Sequence, residues 1–156
     1  MGMYGEVTAA TRSEFDKFSD GDVLGGFFSF TTTVEDTVSL EKAWHGLHFL
    51  LTGSAWGGQG PLAFLLADDD QAEEDAPRWF SPEETRQIHE ALSGVSDAML
   101  WSNFDADQME AFDIYPLIWD EPEEDLREEY LMYFNELKQI VAAAAESDRG
   151  LMISIG

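Results

Sequence analysis

The sequence predicts an α+β fold in which strands from the two ends of the chain share one sheet. Three observations carry that prediction. Short β-like runs stand at both ends, over 2–9 and 151–155. Between them lie segments whose apolar residues recur at helical spacing. One of these segments, opening at Asp120-Glu121-Pro122 and running to about Glu146, is long enough to span a sheet. The chain has 156 residues, 44% hydrophobic and 13% aromatic, so it can bury a core without disulfides. With no internal repeat and no linker, residues 1–156 are expected to form a single domain.

In chain order, Met3 and Val7 are the apolar positions of the first strand, which Gly2 and Gly5 weaken. Thr11-Arg12-Ser13-Glu14 reads as a capping box, with Thr at the N-cap and Glu three residues on. A short helix should follow, burying Phe15 and Phe18 and ending before the turn residues Asp20-Gly21-Asp22. Residues 23–34, rich in Phe, Val and Thr, suit a strand or a buried loop interrupted at Gly25-Gly26. Ser39 is placed to cap a helix over 40–51, with Trp44, Leu47, His48 and Leu51 at helical spacing and Thr52-Gly53 as its stop. Residues 54–60, with Gly57, Gly58 and Gly60, read as loop, and the acids at 68–70 and 73–75 as an acidic surface loop.

Ser81-Pro82-Glu83-Glu84 is the cleanest local signal: a Ser cap, Pro in the first helical position, Glu closing the capping box. Its helix should turn Ile88, Leu92 and Val95 inward and end at Gly94. Residues 96–112 suit one or two short helices burying Met99, Leu100, Phe104 and Met109. In the long helix, Leu126, Tyr130, Tyr133, Phe134, Leu137, Ile140, Val141 and Ala144 step by three and four into one apolar stripe. Acids at 121, 123, 124 and 125 sit where the helix dipole favours them. Asp148-Arg149-Gly150 then turns the chain into the last strand.

Composition narrows function by exclusion. Eight basic against 32 acidic side chains give a formal charge of −24. Phosphate backbones and anionic membranes demand clustered Lys and Arg, so direct nucleic-acid or membrane-surface binding is not expected. No apolar run is long enough to cross a bilayer, and the N-terminus lacks the basic and apolar regions of a signal peptide, so a cytoplasmic protein is expected. Zero cysteines exclude disulfides, thiolate metal sites and cysteine nucleophiles.

Catalytic motifs are weak. Glu41, His45 and His48 would share a helix face at i, i+4 and i+7, a spacing that could offer a carboxylate and two imidazoles to one metal. The spacing is not that of a metalloprotease, and the plainer reading is a Glu41–His45 surface pair with His48 as a packing residue. Asn103, Asp105 and Asp107 imitate the start of an EF-hand loop, but Gln108 and Ile114 occupy the positions that need Gly and Glu. Gly53-Ser54-Ala55-Trp56-Gly57 puts Ser second rather than third, so it is no nucleophile elbow. Gly57-Gly58-Gln59-Gly60 lacks the Lys-Ser/Thr of a phosphate loop. No metal and no cofactor is expected. Trp56, Trp79 and Trp101, near loops or helix ends, could anchor a basic partner, although core filling is the plainer reading.

Several blocks together resemble the YfbM-like family of uncharacterised bacterial proteins. They are Met1-Gly2-Met3-Tyr4-Gly5, then Glu41-Lys42-Ala43-Trp44-His45-Gly46-Leu47-His48-Phe49-Leu50-Leu51-Thr52-Gly53, then Ile114-Tyr115-Pro116, and Gly150-Leu151-Met152-Ile153-Ser154-Ile155-Gly156 after the long helix. The resemblance implies a small single-domain α+β fold with a mixed sheet in a bacterial, cytoplasmic protein. It implies no activity. Lys42, Trp44, His48 and Tyr115 fall in its characteristic blocks, so with Glu41 they are the ligand-binding candidates, with Trp44 and His48 placed to stack at i, i+4.

Two functions follow as expectations. The first is an acidic binding protein with no chemistry of its own, immunity- or inhibitor-like, whose partner is a basic protein. The alternative is a small enzyme or ligand sensor with a pocket near Trp44 and His48. A charge of −24 with only Lys17, Lys42 and Lys138 as lysines also fits adaptation to salt.

Overall fold

The computed structural model describes residues 3–18, 37–58, 60–66 and 78–155. The expectations for the Asp20-Gly21-Asp22 turn, for residues 23–34, for the acidic loop at 68–75 and for the Phe18 side chain lie outside the described residues. Within them the α+β expectation holds. Strands β1 (Gly5–Ala10), β2 (Thr37–Glu41), β3 (Arg78–Phe80) and β4 (Gly150–Ile155) form one sheet in the order β2-β1-β4-β3. The two ends of the chain are joined at its centre, where β1 and β4 pair from Gly5 with Ile155 to Ala10 with Gly150. Among the described residues all three pairings are antiparallel, where the resemblance implied a mixed sheet. A tight turn through Asp148, at φ 57°, reverses the chain into β4 alongside the helix it has just left.

Helix α1 (Arg12–Phe18) begins with the predicted box: the Glu14 N–H donates to Thr11 Oγ1 at 3.1 Å and the Thr11 N–H to Glu14 Oε1 at 2.9 Å. Helix α3 (Pro82–Ser93) repeats the device with Ser81 and Glu84 at 3.0 and 2.9 Å. Each box satisfies two backbone donors that a helix start leaves unpaired. Two short helices, α4 (Asp97–Trp101) and α5 (Ala106–Ala111), follow; they bury Leu100 and Met109 but leave Met99 exposed, against expectation. Five helical residues offer only one inward face, and Leu100 occupies it. In the EF-hand-like stretch, Asp105 caps α5 and Asn103 Nδ2 donates to the Leu50 carbonyl at 2.8 Å.

Ser39 corrects a boundary. It does not cap a helix but sits in β2, paired with Glu6 of β1. Helix α2 (Trp44–Thr52) starts four residues later, with Ala43 at its N-cap and no side-chain cap. Sheet pairing and the burial of Leu40 outweigh the local cap signal. The stop is as read: Gly53 adopts φ 77° and its N–H reaches the Phe49 carbonyl at 2.7 Å. The long helix α6 (Glu123–Glu146) lies across the sheet and against α3, burying every predicted stripe residue except Tyr133, which is half-buried.

Helix α2 is buried along its whole length from Trp44 to Leu51, among the core side chains Trp119, Leu126 and Tyr130. Gly46 makes this possible, because a Cβ there would lie 2.6 Å from the Tyr130 ring and 3.0 Å from Trp119. At the sheet's other end, Arg12 joins α1 to Asp148 through Nε and Nη2 at 3.2 and 3.0 Å and to Glu83 of α3 at 2.8 Å. Arg86 adds a 2.7 Å bond to Asp148. Arg12 holds both carboxyls below their usual range, but all four groups are exposed, so solvent and salt weaken the network.

Glycine substitution tests this packing. A Cβ on Gly150 would overlap the Phe80 carbonyl oxygen across the β3–β4 pair, whereas one on Gly94 would meet only Ala91 O at 3.6 Å. Urea melting should show Gly150→Ala destabilised by about 1–3 kcal/mol and Gly94→Ala changed by no more than about 1 kcal/mol.

Candidate functional site

The family-like block places its residues in three different settings. Glu41 ends β2 at φ 49° and is exposed, and so is Lys42, whose Nζ stands 5.9 Å from the Tyr4 ring centroid. Trp44 and His48 are buried within α2, and Tyr115 is half-buried in the segment between α5 and α6. The fold brings Trp44 and Tyr115 together: their rings stack with centroids 5.5 Å apart, 24° from parallel. On its other contact Trp44 stacks on His45, not on His48, at 5.2 Å and 9°.

Backbone atoms tie this stack together. The Trp44 indole N–H donates to the Met3 carbonyl at 3.1 Å, and the Met3 N–H donates to the Tyr115 hydroxyl at 2.9 Å. The Tyr115 N–H donates to His45 Nδ1 at 2.9 Å. That bond assigns the proton to Nε2, which meets the Ala55 carbonyl at 2.8 Å. Both ring nitrogens of His45 are therefore engaged, and burial lowers its pKa.

The metal arrangement is corrected on two counts. Glu41 stands on a strand rather than on the helix face of His45 and His48, and the lone pair of His45 is already taken. Among the described residues no group of three or more His, Asp or Glu could hold a metal ion. The Glu41–His45 surface pair also fails, since His45 is buried.

His48 is fully enclosed, and neither ring nitrogen makes a hydrogen bond among the described residues. Burial pushes its pKa down to about 4; the Gly57 backbone opposes the shift, and His45 and Arg78 add to it. It can act neither as an accessible base nor as a ligand without the helix opening. Of three clefts formed by described residues, two include Glu41 and the third is lined by Arg78; Trp44, His48 and Tyr115 line none of them.

What the stack does present is an apolar surface. Trp56, 47% exposed, rests on His45 with centroids 4.6 Å apart and on Trp44 at 6.5 Å. Met3, which bonds the Trp44 indole and the Tyr115 hydroxyl, and the adjacent Tyr4 are also exposed. Two residues past Tyr115, Leu117 holds a left-handed φ of 66° with its side chain 55% exposed. A leucine in that conformation costs on the order of 1 kcal/mol, and its exposure recovers nothing. Trp56 was marked in the sequence as an aromatic near a loop. Met3, expected as an apolar position of the first strand, instead stands exposed ahead of β1, and Tyr4 and Leu117 carry no surface signal, because exposure of an apolar side chain is decided by what packs over it. Of the other two loop tryptophans, Trp101 is half-buried and stacked on Phe104 at 4.4 Å, and Trp79 is half-buried in β3.

His48 gives a pH test. Its folded pKa lies below the ordinary value of 6.5, so the unfolded chain takes up the proton first as pH falls. Stability should therefore drop between about pH 6.5 and about pH 4 and level off below, with a loss on the order of 3 kcal/mol from this residue. In chemical melts across that range, His48→Leu should be flatter than the parent, and at pH 5 at least as stable.

A family model for the domain of unknown function DUF1877 matches residues 1–154. No curated protein matches the chain in sequence. Its fold is similar to that in the crystal structure of YfbM, a protein of unknown function from Escherichia coli, with a TM-score of 0.78 and 16% sequence identity. The superposition covers 98% of this chain and 99% of that one. At that identity the likeness speaks for the shared fold alone. The chain belongs to the DUF1877 family of YfbM-like proteins, whose function is unknown.

Proposed function

We propose that this single-domain protein is a non-catalytic binding protein that docks a basic protein partner in the cytoplasm. The observation that carries the reading is Trp56, held half in solvent on a bed of rings whose polar atoms are tied internally. A rigid aromatic anchor with little entropy left to lose is what binding hot spots use. Met3, bonded through its backbone to the same stack, is also exposed, as are Tyr4 and Leu117, and Tyr4 shares a cleft with the exposed carboxylates Glu6 and Glu41.

The charge supports a basic partner. Among the described cations, Arg12 and Arg86 are bound in the network at Asp148, and Lys138 donates to the Val95 carbonyl at 3.0 Å. The chain's formal charge is −24, and a field of that sign steers positively charged proteins. The alternative, an enzyme or ligand sensor at Trp44 and His48, finds less support. Both nitrogens of His45 are occupied, and His48 is sealed inside the helix packing.

A tagged capture from the native host separates the readings. A basic protein should be retained in stoichiometric amount at low salt and released at moderate salt. Trp56→Ser should weaken the purified pair by about 30-fold or more, the size of a hot-spot loss, while Met99→Ser, on α4, should not. Retention indifferent to Trp56→Ser, or no basic protein retained, would overturn the proposal.

A further inference from the structure

Arg78 opens β3 and lines a cleft of about 460 Å³ bounded by the 61–63 turn, β3 and α3. That volume falls within the range of small-molecule sites. Its walls combine the apolar side chains of Pro61, Phe64, Trp79, Phe80 and Ile88 with the polar Glu84 and Gln87. The guanidinium is half-buried, and among the described residues it bonds to neutral groups, the carbonyl oxygens of Phe64 and Leu65.

No carboxylate of the described residues pairs with Arg78, in a chain that has 32 of them. Glu84, the carboxylate on the cleft wall, is committed to the Ser81 N–H of the α3 capping box. Burial lowers the Arg78 pKa to about 10. A partly desolvated cation is costly unless paired, and two carbonyl contacts leave most of its five N–H donors for another acceptor.

We propose that this cleft binds a small monocarboxylate with an aromatic or branched apolar body, its carboxylate held by Arg78 and its body by the walls formed by Phe64, Phe80 and Ile88. The planar guanidinium fork matches a carboxylate in a bidentate pair. A single anionic charge is favoured over a phosphate dianion, because the chain's net charge of −24 opposes every further negative charge brought in. This site is separate from the Trp56 face and stands or falls independently of it.

The test uses the whole protein, ¹⁵N-labelled, titrated with benzoate, phenylacetate, indole-3-acetate and isovalerate. At least one should give saturable shifts confined to residues 60–66 and 78–88, the Trp79 indole N–H included. The matching neutral amide should bind at least about tenfold more weakly, and inorganic phosphate should not compete. Arg78→Gln should lose binding by a similar factor. Because that variant also removes two bonds to the 64–65 backbone, the acid-against-amide comparison on the parent decides the matter if the variant does not fold. No saturable shift with any of the four acids, equal binding of acid and amide, or shifts centred elsewhere would each overturn the proposal.

Discussion

A nine-residue helix with no solvent-facing side sets the terms for the rest of this molecule. Most surface helices bury one stripe and wet the other. Helix α2 buries all of it, so every polar group it carries must be satisfied inside the protein or left at a cost. Its neighbours are arranged around that demand. Gly46 lets Tyr130 of α6 and Trp119 close in, and Asn103 reaches over to the carbonyl of Leu50. His45 links the backbone of Tyr115 to that of Ala55, joining two loops far apart in sequence.

The same constraint sets the surroundings of the two histidines of the helix, His45 and His48. A histidine whose nitrogens hold two backbone segments is a strut. His48 goes further: it is enclosed with neither nitrogen bonded among the described residues, and it stays neutral because a proton there would sit beside His45 and Arg78 in a dry environment. The aromatic stack built on this rigid base is what reaches the surface, through Trp56 and the ring of Tyr115. That stack is fixed by hydrogen bonds between its side chains and the Met3 main chain.

The charge distribution belongs to the same account. Few cations are present, and several serve the fold: Arg12 and Arg86 close the end of the sheet, Lys138 caps a carbonyl, and Arg78 holds the backbone at Phe64 and Leu65. Among the described residues, most other carboxylates are exposed. Most of the long helix's acids lie on its exposed face, with Glu123, Glu124 and Asp125 in the first turn where the dipole welcomes them. A protein built this way repels its own copies and attracts cations, whether those are ions or another protein's surface.

Local order was legible in the sequence wherever the signal itself is local. The capping boxes at Thr11 and Ser81, the Gly53 stop, the α6 stripe and the two terminal strands were all readable, because short-range hydrogen bonds and helical periodicity do not depend on distant contacts. Ser39 was misread because a cap signal lost to pairing with Glu6, and Met99 because a five-residue helix has only one inward face. Glu41 looked like a helix-face partner of His45 until the strand claimed it. The candidate block at 41–48 was visible as a block, but not its division into exposed, stacked and sealed residues. Composition determined the acidity and the capacity for an aromatic core. Tertiary packing alone decided which aromatics became surface, which histidine became a strut, and which arginine holds backbone carbonyls, since burial depends on neighbours distant in sequence.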